Sequence, residues 1–441
     1  MSKSISVFGL GYVGCVTAAC LSEKGNSVIG VDLNPAKVAM LEAGQNPILE
    51  PQMNELVEQS HRSCRLHATT DALAAVSKTE ISFVCVGTPS QRSGKLDLSY
   101  IERVCTEIGN GLARKDSYHL VVVRSTVLPG TVENVVLPLL EKTSGKRVGE
   151  HFGICMNPEF TREGAAVADF FSPGITVLGA DHPRDAAILR EVYSWVPGRV
   201  FETSLRVAEL VKYSCNAWHA VKVCFGNEIG RLARELGVDA EVTMKVFCAD
   251  DRLNISPAYL KPGFAFGGSC LPKDLRAITY RAKELDLSLP LLESLLPSNE
   301  EHLERAVELV LHTGKKKIGV LGLSFKAQTD DLRESPQVQL CKRLLGEGCQ
   351  LRIWDDNVAL GRLIGSNRQY IEEVVPHIGS LLCGTVAQAL EDAEVVVVAT
   401  RSIGKQELVK YLRPGQTVID LVNLEKNLRP SGQSSYEGIC W

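Results

Sequence analysis

The stretch between residues 5 and 32 constrains this chain more than any other. An apolar run at 5–8 gives way to Gly9-Leu10-Gly11-Tyr12-Val13-Gly14, a helical stretch through Cys20, and a second apolar run at 28–31 that ends at Asp32. That order spells one βαβ unit. In it, Gly9 permits a tight turn, Gly11 lets a pyrophosphate come close to the backbone, and Gly14 lets the helix pack on the strand. An acid about 20 residues past the glycines accepts hydrogen bonds from an adenine-ribose diol and repels a 2′-phosphate. The expected cofactor is therefore NAD rather than NADP.

A chain of 441 residues with 45% apolar content can bury a large core. At roughly 100–200 residues per domain it should hold two or three domains. Its net charge of −4 provides no broad basic footprint, so nucleic acid is not an expected partner. No apolar run approaches the ~20 residues needed to cross a bilayer, so no membrane association is expected and the chain reads as cytoplasmic. None of its 14 cysteines forms a C-x-x-C pair or a disulfide-scaffold spacing. They read as reduced thiols, with no metal site among them.

Further apolar runs at 81–86 and 120–123 empty into small polar residues, Gly87-Thr88-Pro89 and Arg124-Ser125-Thr126. Ligands of open α/β sheets gather at such strand ends, which makes Thr88 and Thr126 candidates for cofactor or substrate contact. Asn157-Pro158-Glu159-Phe160-Thr161-Arg162-Glu163 follows another short strand and sets two carboxylates in one loop. From residue 203 to about 236 no proline interrupts a helical stretch, with Thr203 or Ser204 as its N-cap. Along it Lys212, Asn216 and His219 fall at i, i+4 and i+7, within about 60° of one another, and Asn227 returns near that stripe. The apolar neighbours Val211, Ala217 and Val223 predict that part of this surface is buried, a setting that lowers a lysine pKa toward acid–base work.

Past residues 290–297 the chain starts again with a helical run, Lys315-Lys316-Lys317 and apolar runs at 318–321, 351–354, 395–399 and 418–421. Gly322-Leu323-Ser324-Phe325-Lys326 lacks the full dinucleotide fingerprint, so this second α/β domain should bind another ligand, with Lys326 and Arg333 offering cations to phosphates. The expected fold is α/β: two Rossmann-like doubly wound domains, 1–202 and 298–441, joined by a long central helix and a helical middle domain, 203–297. In the middle part lies Phe266-Gly267-Gly268-Ser269-Cys270-Leu271-Pro272-Lys273-Asp274. The glycines let backbone N–H groups approach a bound group, and Lys273 favours the Cys270 thiolate, the form that attacks a carbonyl.

With these residues the chain resembles the nucleotide-sugar 6-dehydrogenases, the UDP-glucose/GDP-mannose dehydrogenase family, over essentially its full length. The resemblance rests on Gly9 to Gly14, Asn157-Pro158-Glu159-Phe160, Lys212 with Asn216, Gly267 to Cys270 with Lys273-Asp274, and Lys326 through Arg333. Cys215-Asn216-Ala217-Trp218-His219, Pro262-Gly263-Phe264-Ala265-Phe266 and the C-terminal Glu437-Gly438-Ile439-Cys440-Trp441 resemble the branch that takes GDP-mannose. Three positions depart from the family pattern. Thr161 stands where leucine is common, Ala258 where tyrosine is expected, and Lys261 where arginine is usual, which keeps a charge but loses a planar fork.

The resemblance implies a four-electron, NAD-dependent oxidation of a primary alcohol to a carboxylate. Lys212, or a water held by Asp274, takes the first proton. Cys270 forms a thiohemiacetal and then a thioester, while Lys212 and Asn216 donate to the oxyanion and Thr126 positions water. Glu159 or Asp274 directs the hydrolytic water. By the same resemblance Tyr12, Val13, Asp32, Lys37, Thr88, Thr126, Lys273 and Arg333 hold NAD. Glu163, Lys212, Asn216, His219, Asn227, Tyr259, Lys261, Phe264, Gly267 and Lys326 hold the sugar nucleotide. A homodimer or larger homo-oligomer is implied, as is a place in alginate-type polyuronate synthesis. A UDP-sugar 6-dehydrogenase is the alternative of the same chemistry; a silent sugar-nucleotide sensor would have no need of Cys270 and Lys212 together.

Overall fold

The computed structural model describes residues 2–89, 91–92, 95–162, 164–256, 262–268, 271–325, 332–358, 371, 373–424 and 435–440. The chain divides into two compact units, Met1–Ala220 and Val221–Trp441.

In the first unit, β1 (Ser4–Phe8), β2 (Ser27–Val31), β3 (Leu66–Thr69), β4 (Ile81–Val84), β5 (His119–Val123), β6 (Phe152–Met156), β7 (Ile175–Gly179) and β8 (Arg199–Thr203) build one sheet. Its order is β3-β2-β1-β4-β5-β6-β7-β8. The first six strands are parallel, and 3-2-1-4-5-6 is the doubly wound dinucleotide-binding order, with its switch point between β1 and β4. Every residue of β4, β5 and β6 is buried, because helices cover both faces. Such strands read as unbroken apolar runs instead of alternating ones. Ile5, Val7, Phe83, Leu120 and Val122 pack toward the helices Tyr12–Glu23 and Met53–Arg62. Phe8, Val84, Val121 and Val123 face the other way, toward Ser99–Ala113 and Leu137–Ser144.

Strands β3 and β8 lie beyond what the apolar pattern reveals, whereas β7 buries four of its five residues and was missed in the sequence. β3 has four residues, only one of them buried, and β8 has none buried. β7 joins β6 through a single antiparallel pair, Met156 with Gly179, and β8 runs parallel to β7. At that joint a side chain on Gly179 would put Cβ 2.6 Å from the Ala208 methyl, so glycine lets the helix Leu205–Glu235 lie close to the sheet.

That helix is 31 residues long, about 46 Å. The hydroxyl of Ser204 accepts the Val207 N–H at 3.4 Å near its start. Glu209, buried within it, accepts the N–H groups of Gly130 (2.6 Å) and Val132 (2.8 Å), which ties the helix to the loop beyond β5. The division between the units, at Ala220 and Val221, falls inside this helix.

The second unit contains β9 (Lys317–Leu321), β10 (Gln350–Trp354), β11 (Val395–Val398), β12 (Thr417–Asp420) and β13 (Ser435–Gly438), all parallel, in the order β10-β9-β11-β12-β13. Counted within the unit this is 2-1-3-4-5, the other common doubly wound order, and its switch point lies between β9 and β11. β13 is a polar edge strand that the apolar pattern does not reveal. Pro290–Leu311 is one helix with Pro297 inside it, so the expected start of a new domain at residue 298 lies within a helix. Asp355 follows β10 and accepts the N–H groups of Leu323 (2.7 Å) and Ser324 (3.0 Å). In the first unit Asp32 follows β2 and accepts the Leu10 N–H at 2.7 Å. The two sheets repeat one construction, an acid at the end of the second strand bracing the turn after the first.

Candidate functional site

The glycine turn sits at the carboxyl end of β1. Gly9 has φ +92°, a conformation that L side chains rarely adopt, and its Cβ would lie 2.8 Å from Val86 Cγ1. A Cβ on Gly14 would lie 1.8 Å from the Gly9 carbonyl oxygen, so helix and turn are in direct contact. Gly11 has nothing within 4 Å of where its Cβ would be. Beside it opens a cavity of about 460 Å³ lined by Gly9, Gly11, Asp32, Leu33, Gly87 and Tyr100, among others. A dinucleotide fits this setting: open backbone for a pyrophosphate, then a carboxylate for a ribose.

Asp32 is fixed by its second oxygen too, which accepts the Asn34 N–H at 2.8 Å. Lys37 Nζ donates to the Leu10 carbonyl at 3.1 Å, so its charge braces the turn. Thr88 Oγ1 donates to the Thr126 carbonyl at 2.8 Å, which joins the ends of β4 and β5. Tyr12 donates its hydroxyl to Glu50. The Glu50 carboxylate in turn accepts the N–H groups of Gly164 (2.8 Å) and Ala166 (2.7 Å). Burial pushes the Glu50 carboxyl up, but these hydrogen bonds outweigh it and hold the group below the usual carboxylate range. Glu50 thus links the glycine turn to the far end of the loop that carries Glu159.

Glu159 stands at the rim of a second cavity, about 540 Å³, lined by Arg124, Phe160, Arg162, Cys215 and His219, among others. Lys212, buried on the central helix, meets Glu159 Oε1 at 3.1 Å. The N–H and hydroxyl of Thr161 both donate to Glu159 Oε2 at 2.8 Å. Burial raises the Glu159 carboxyl, yet Lys212, Thr161 and Arg124 together bring it below its ordinary value. Beneath the loop, Arg124 donates to Asn157 Oδ1 at 2.6 Å and to the Tyr193 hydroxyl at 3.1 Å, and Asn157 donates onward to the Val177 carbonyl at 2.9 Å. This buried polar floor holds the loop against the sheet.

In the second unit the segment ahead of Cys270 is pinned tightly. Phe266 and Asn299 exchange two hydrogen bonds, at 2.8 and 2.9 Å, and Gly268 N–H donates to the Glu334 carbonyl at 3.3 Å. A Cβ on Gly267 would lie 2.2 Å from that same carbonyl oxygen. Phe264 is half-buried against the core, and Arg333, also half-buried, directly precedes Glu334. The helix Leu271–Glu284 begins at the next residue in sequence after Cys270. In its first turn Lys273 and Asp274 pair with each other at 2.8 Å, both exposed.

Of the residues expected from the sequence, the structure brings together Gly9, Gly11, Gly14, Asp32 and Lys37 with Tyr12 and Val13, pairs Thr88 with Thr126, and pairs Lys212 with Glu159. Asn216, His219 and Asn227 are exposed along the central helix. The expected burial of their surroundings is corrected: Val211 is half-buried, but Ala217 is exposed and Val223 is 62% exposed. Cys270, Glu163, Ala258, Tyr259, Lys261 and Lys326 lie outside the described residues. Sequence reasoning missed Glu50, Tyr193 and Glu209, and it named Arg124 and Asn157 only as members of their motifs, without the buried bonds they make. No local pattern reveals these bonds, because each partner lies tens of residues away. Among the described residues no three His, Cys, Asp or Glu side chains gather as a metal site. No described helix is long and apolar enough to cross a membrane.

Three family models match the chain. The NAD binding domain of the UDP-glucose/GDP-mannose dehydrogenase family covers residues 3–196, its central domain 206–301, and its UDP binding domain 319–426. The GDP-mannose 6-dehydrogenase of Pseudomonas putida is 48% identical over 437 residues, covering 99% of this chain and all of that one. The UDP-glucose 6-dehydrogenase of Haloferax volcanii is 38% identical over 404 residues, 90% of each chain. A crystal structure of a ternary complex of GDP-mannose dehydrogenase from Pseudomonas aeruginosa superposes with a TM-score of 0.95 at 47% identity, covering 99% of this chain and 100% of that one.

Proposed function

Because this chain belongs to the UDP-glucose/GDP-mannose dehydrogenase family, we propose that it is an NAD-dependent enzyme that oxidises the C6 hydroxyl of GDP-mannose to the carboxylate of GDP-mannuronate. The observation that carries this reading is the full-length likeness to the GDP-mannose dehydrogenase ternary complex, at a TM-score of 0.95.

NAD, when bound, would supply the hydride acceptor, one molecule for each of the two oxidations. Gly9, Gly11, Tyr12, Val13, Gly14, Asp32, Lys37, Thr88, Thr126, Lys273 and Arg333 would hold it. Lys212, or a water held by Asp274, takes the C6 hydroxyl proton first. The Cys270 thiolate then adds to the aldehyde carbon, and oxidation of the thiohemiacetal leaves a thioester. Lys212, a cation facing the Glu159 carboxylate at 3.1 Å, donates with Asn216 to the developing oxyanion. Thr126 positions water, Glu159 directs it onto the thioester, the C–S bond breaks, and the thiol is regenerated. Glu163, His219, Asn227, Tyr259, Lys261, Phe264, Gly267 and Lys326 would bind the sugar nucleotide.

The work is divided among residues 1–202 for NAD, 203–297 for the thiol and the oxyanion, and 298–441 for the nucleotide. The enzyme acts in the cytoplasm as a homodimer or larger homo-oligomer and supplies an alginate-type polyuronate. The test is stoichiometric: purified protein, NAD, and limiting GDP-mannose or UDP-glucose. Two NADH per GDP-mannose with little from UDP-glucose is the expected result. Two per UDP-glucose would overturn the nucleotide assignment, and one per sugar would overturn the thioester.

A further inference from the structure

We propose that Thr161 is a positioning residue that fixes the plane of the Glu159 carboxylate and fills one of its oxygen positions, so that the position facing Lys212 directs water in the reaction. Two donors from this one residue converge on one carboxylate oxygen, since the N–H and Oγ1–H of Thr161 both meet Oε2 at 2.8 Å. The other oxygen, Oε1, faces Lys212 at 3.1 Å. A carboxylate oxygen has about two lone-pair positions, so Oε2 is filled while Oε1 keeps one beside the lysine. Water directed by Glu159 therefore docks on the oxygen beside Lys212, and rotating the carboxylate away from this plane would break both threonine bonds.

The hydroxyl is the part of this clamp that depends on the side chain. Any residue at 161 supplies the backbone N–H, whereas only serine or threonine returns the second donor in the same place. Valine keeps the branched shape and loses the bond.

The groups that face Glu159 are Lys212 from the central helix, Arg124 from the end of β5 and Cys85 from the end of β4. Cys215 and His219 line the same cavity, and Arg162 follows Thr161 in the loop. Glu163, further along that loop, lies outside the described residues. Replacing Thr161 by valine alters none of these charges. A hydrogen bond donated to a carboxylate favours its ionised form, so losing one moves ionisation to higher pH.

The inference rests on the reading of Glu159 as the water-directing group, and the experiment separates the two. The full-length enzyme is assayed for kcat and kcat/KM with GDP-mannose across the acid and neutral range as Thr161→Val, Thr161→Ala, Thr161→Ser and Glu159→Gln. The valine and alanine variants are expected to move the acidic limb to higher pH by about half a unit and to lower kcat about three- to tenfold, with NAD affinity unchanged. Serine is expected to restore the parent profile. Profiles of the valine and alanine variants that overlay the parent, or a serine variant that behaves like valine, would overturn the role of Thr161. Undiminished turnover by Glu159→Gln would instead overturn the reading of Glu159 itself.

Discussion

Lys212 and Glu159 face one another at 3.1 Å with only 9% and 13% of their side chains exposed. Removing one partner of a buried pair leaves the other charge without compensation, which costs about 3–5 kcal/mol when burial is complete. Lys212→Ala is expected to lower kcat by about 10²-fold or more, the scale of a lost oxyanion donor, while NAD affinity measured by fluorescence titration stays within about twofold. Equal losses in turnover and in cofactor affinity would mark a structural lysine instead.

Cys270→Ser should abolish carboxylate formation and leave NAD binding intact, because a hydroxyl does not ionise to an effective nucleophile at neutral pH. The measurement is product analysis after prolonged incubation with GDP-mannose. Continued formation of GDP-mannuronate would rule out the covalent route. The buried thiols Cys15, Cys20 and Cys85 are poor substitutes, because burial pushes them up to about 12 and they remain protonated.

Gly14→Ala would drive a methyl group to within 1.8 Å of the Gly9 carbonyl oxygen, a backbone atom with no rotamer to move. Forced overpacking of this kind costs about 1–3 kcal/mol. A lower thermal midpoint and a loss of NAD affinity of at least about tenfold are expected from one substitution. Gly11→Ala should keep the stability, since no neighbour lies within 4 Å, and lose affinity alone. Equal melting of the two variants would contradict the geometry.

Glu50 predicts a pH dependence. Its carboxyl is held below the ordinary value, burial being outweighed by hydrogen bonds from Tyr12 and from the N–H groups of Gly164, Ala166 and Val167. The stability it contributes is complete above the unfolded carboxyl pKa of about 4.3, and is lost as pH falls through the lower folded value. Glu50→Gln should therefore melt below the parent at neutral pH, with the gap closing under acid conditions. A gap independent of pH would mean that Glu50 acts through shape and not through charge.

The glycine turn and its two flanking strands were legible because a parallel strand buried on both faces is one unbroken apolar run, and the observed β1 and β2 start within one residue of that reading. β8 was hidden, since Arg199–Thr203 buries none of its five residues and Val200-Phe201 is too short a pair to read as an apolar run. Pro297 reads as a break, yet it sits inside Pro290–Leu311. The helical stripe of Lys212, Asn216 and His219 follows from periodicity, but periodicity does not say that Lys212 alone is buried. Thr161 stands at a position where leucine is common, and nothing in the sequence gives it a partner. Its hydroxyl proves to bond a carboxylate two residues back.

The lock made by Glu50 also bears on the order in which the molecule forms. Glu50 bonds Gly164, 114 residues away, and Tyr12 bonds the same glycine across 152. Contacts of such separation close late, because a long loop must be ordered before they repay its entropy. A nascent chain emerging from the ribosome can fold the first βαβ turn early, but that turn stays unlocked until residue 166 has been made. Ligand binding by fragments that end before residue 164 would therefore report a loosely held turn, and truncation series across this boundary should show binding sharpen in a single step.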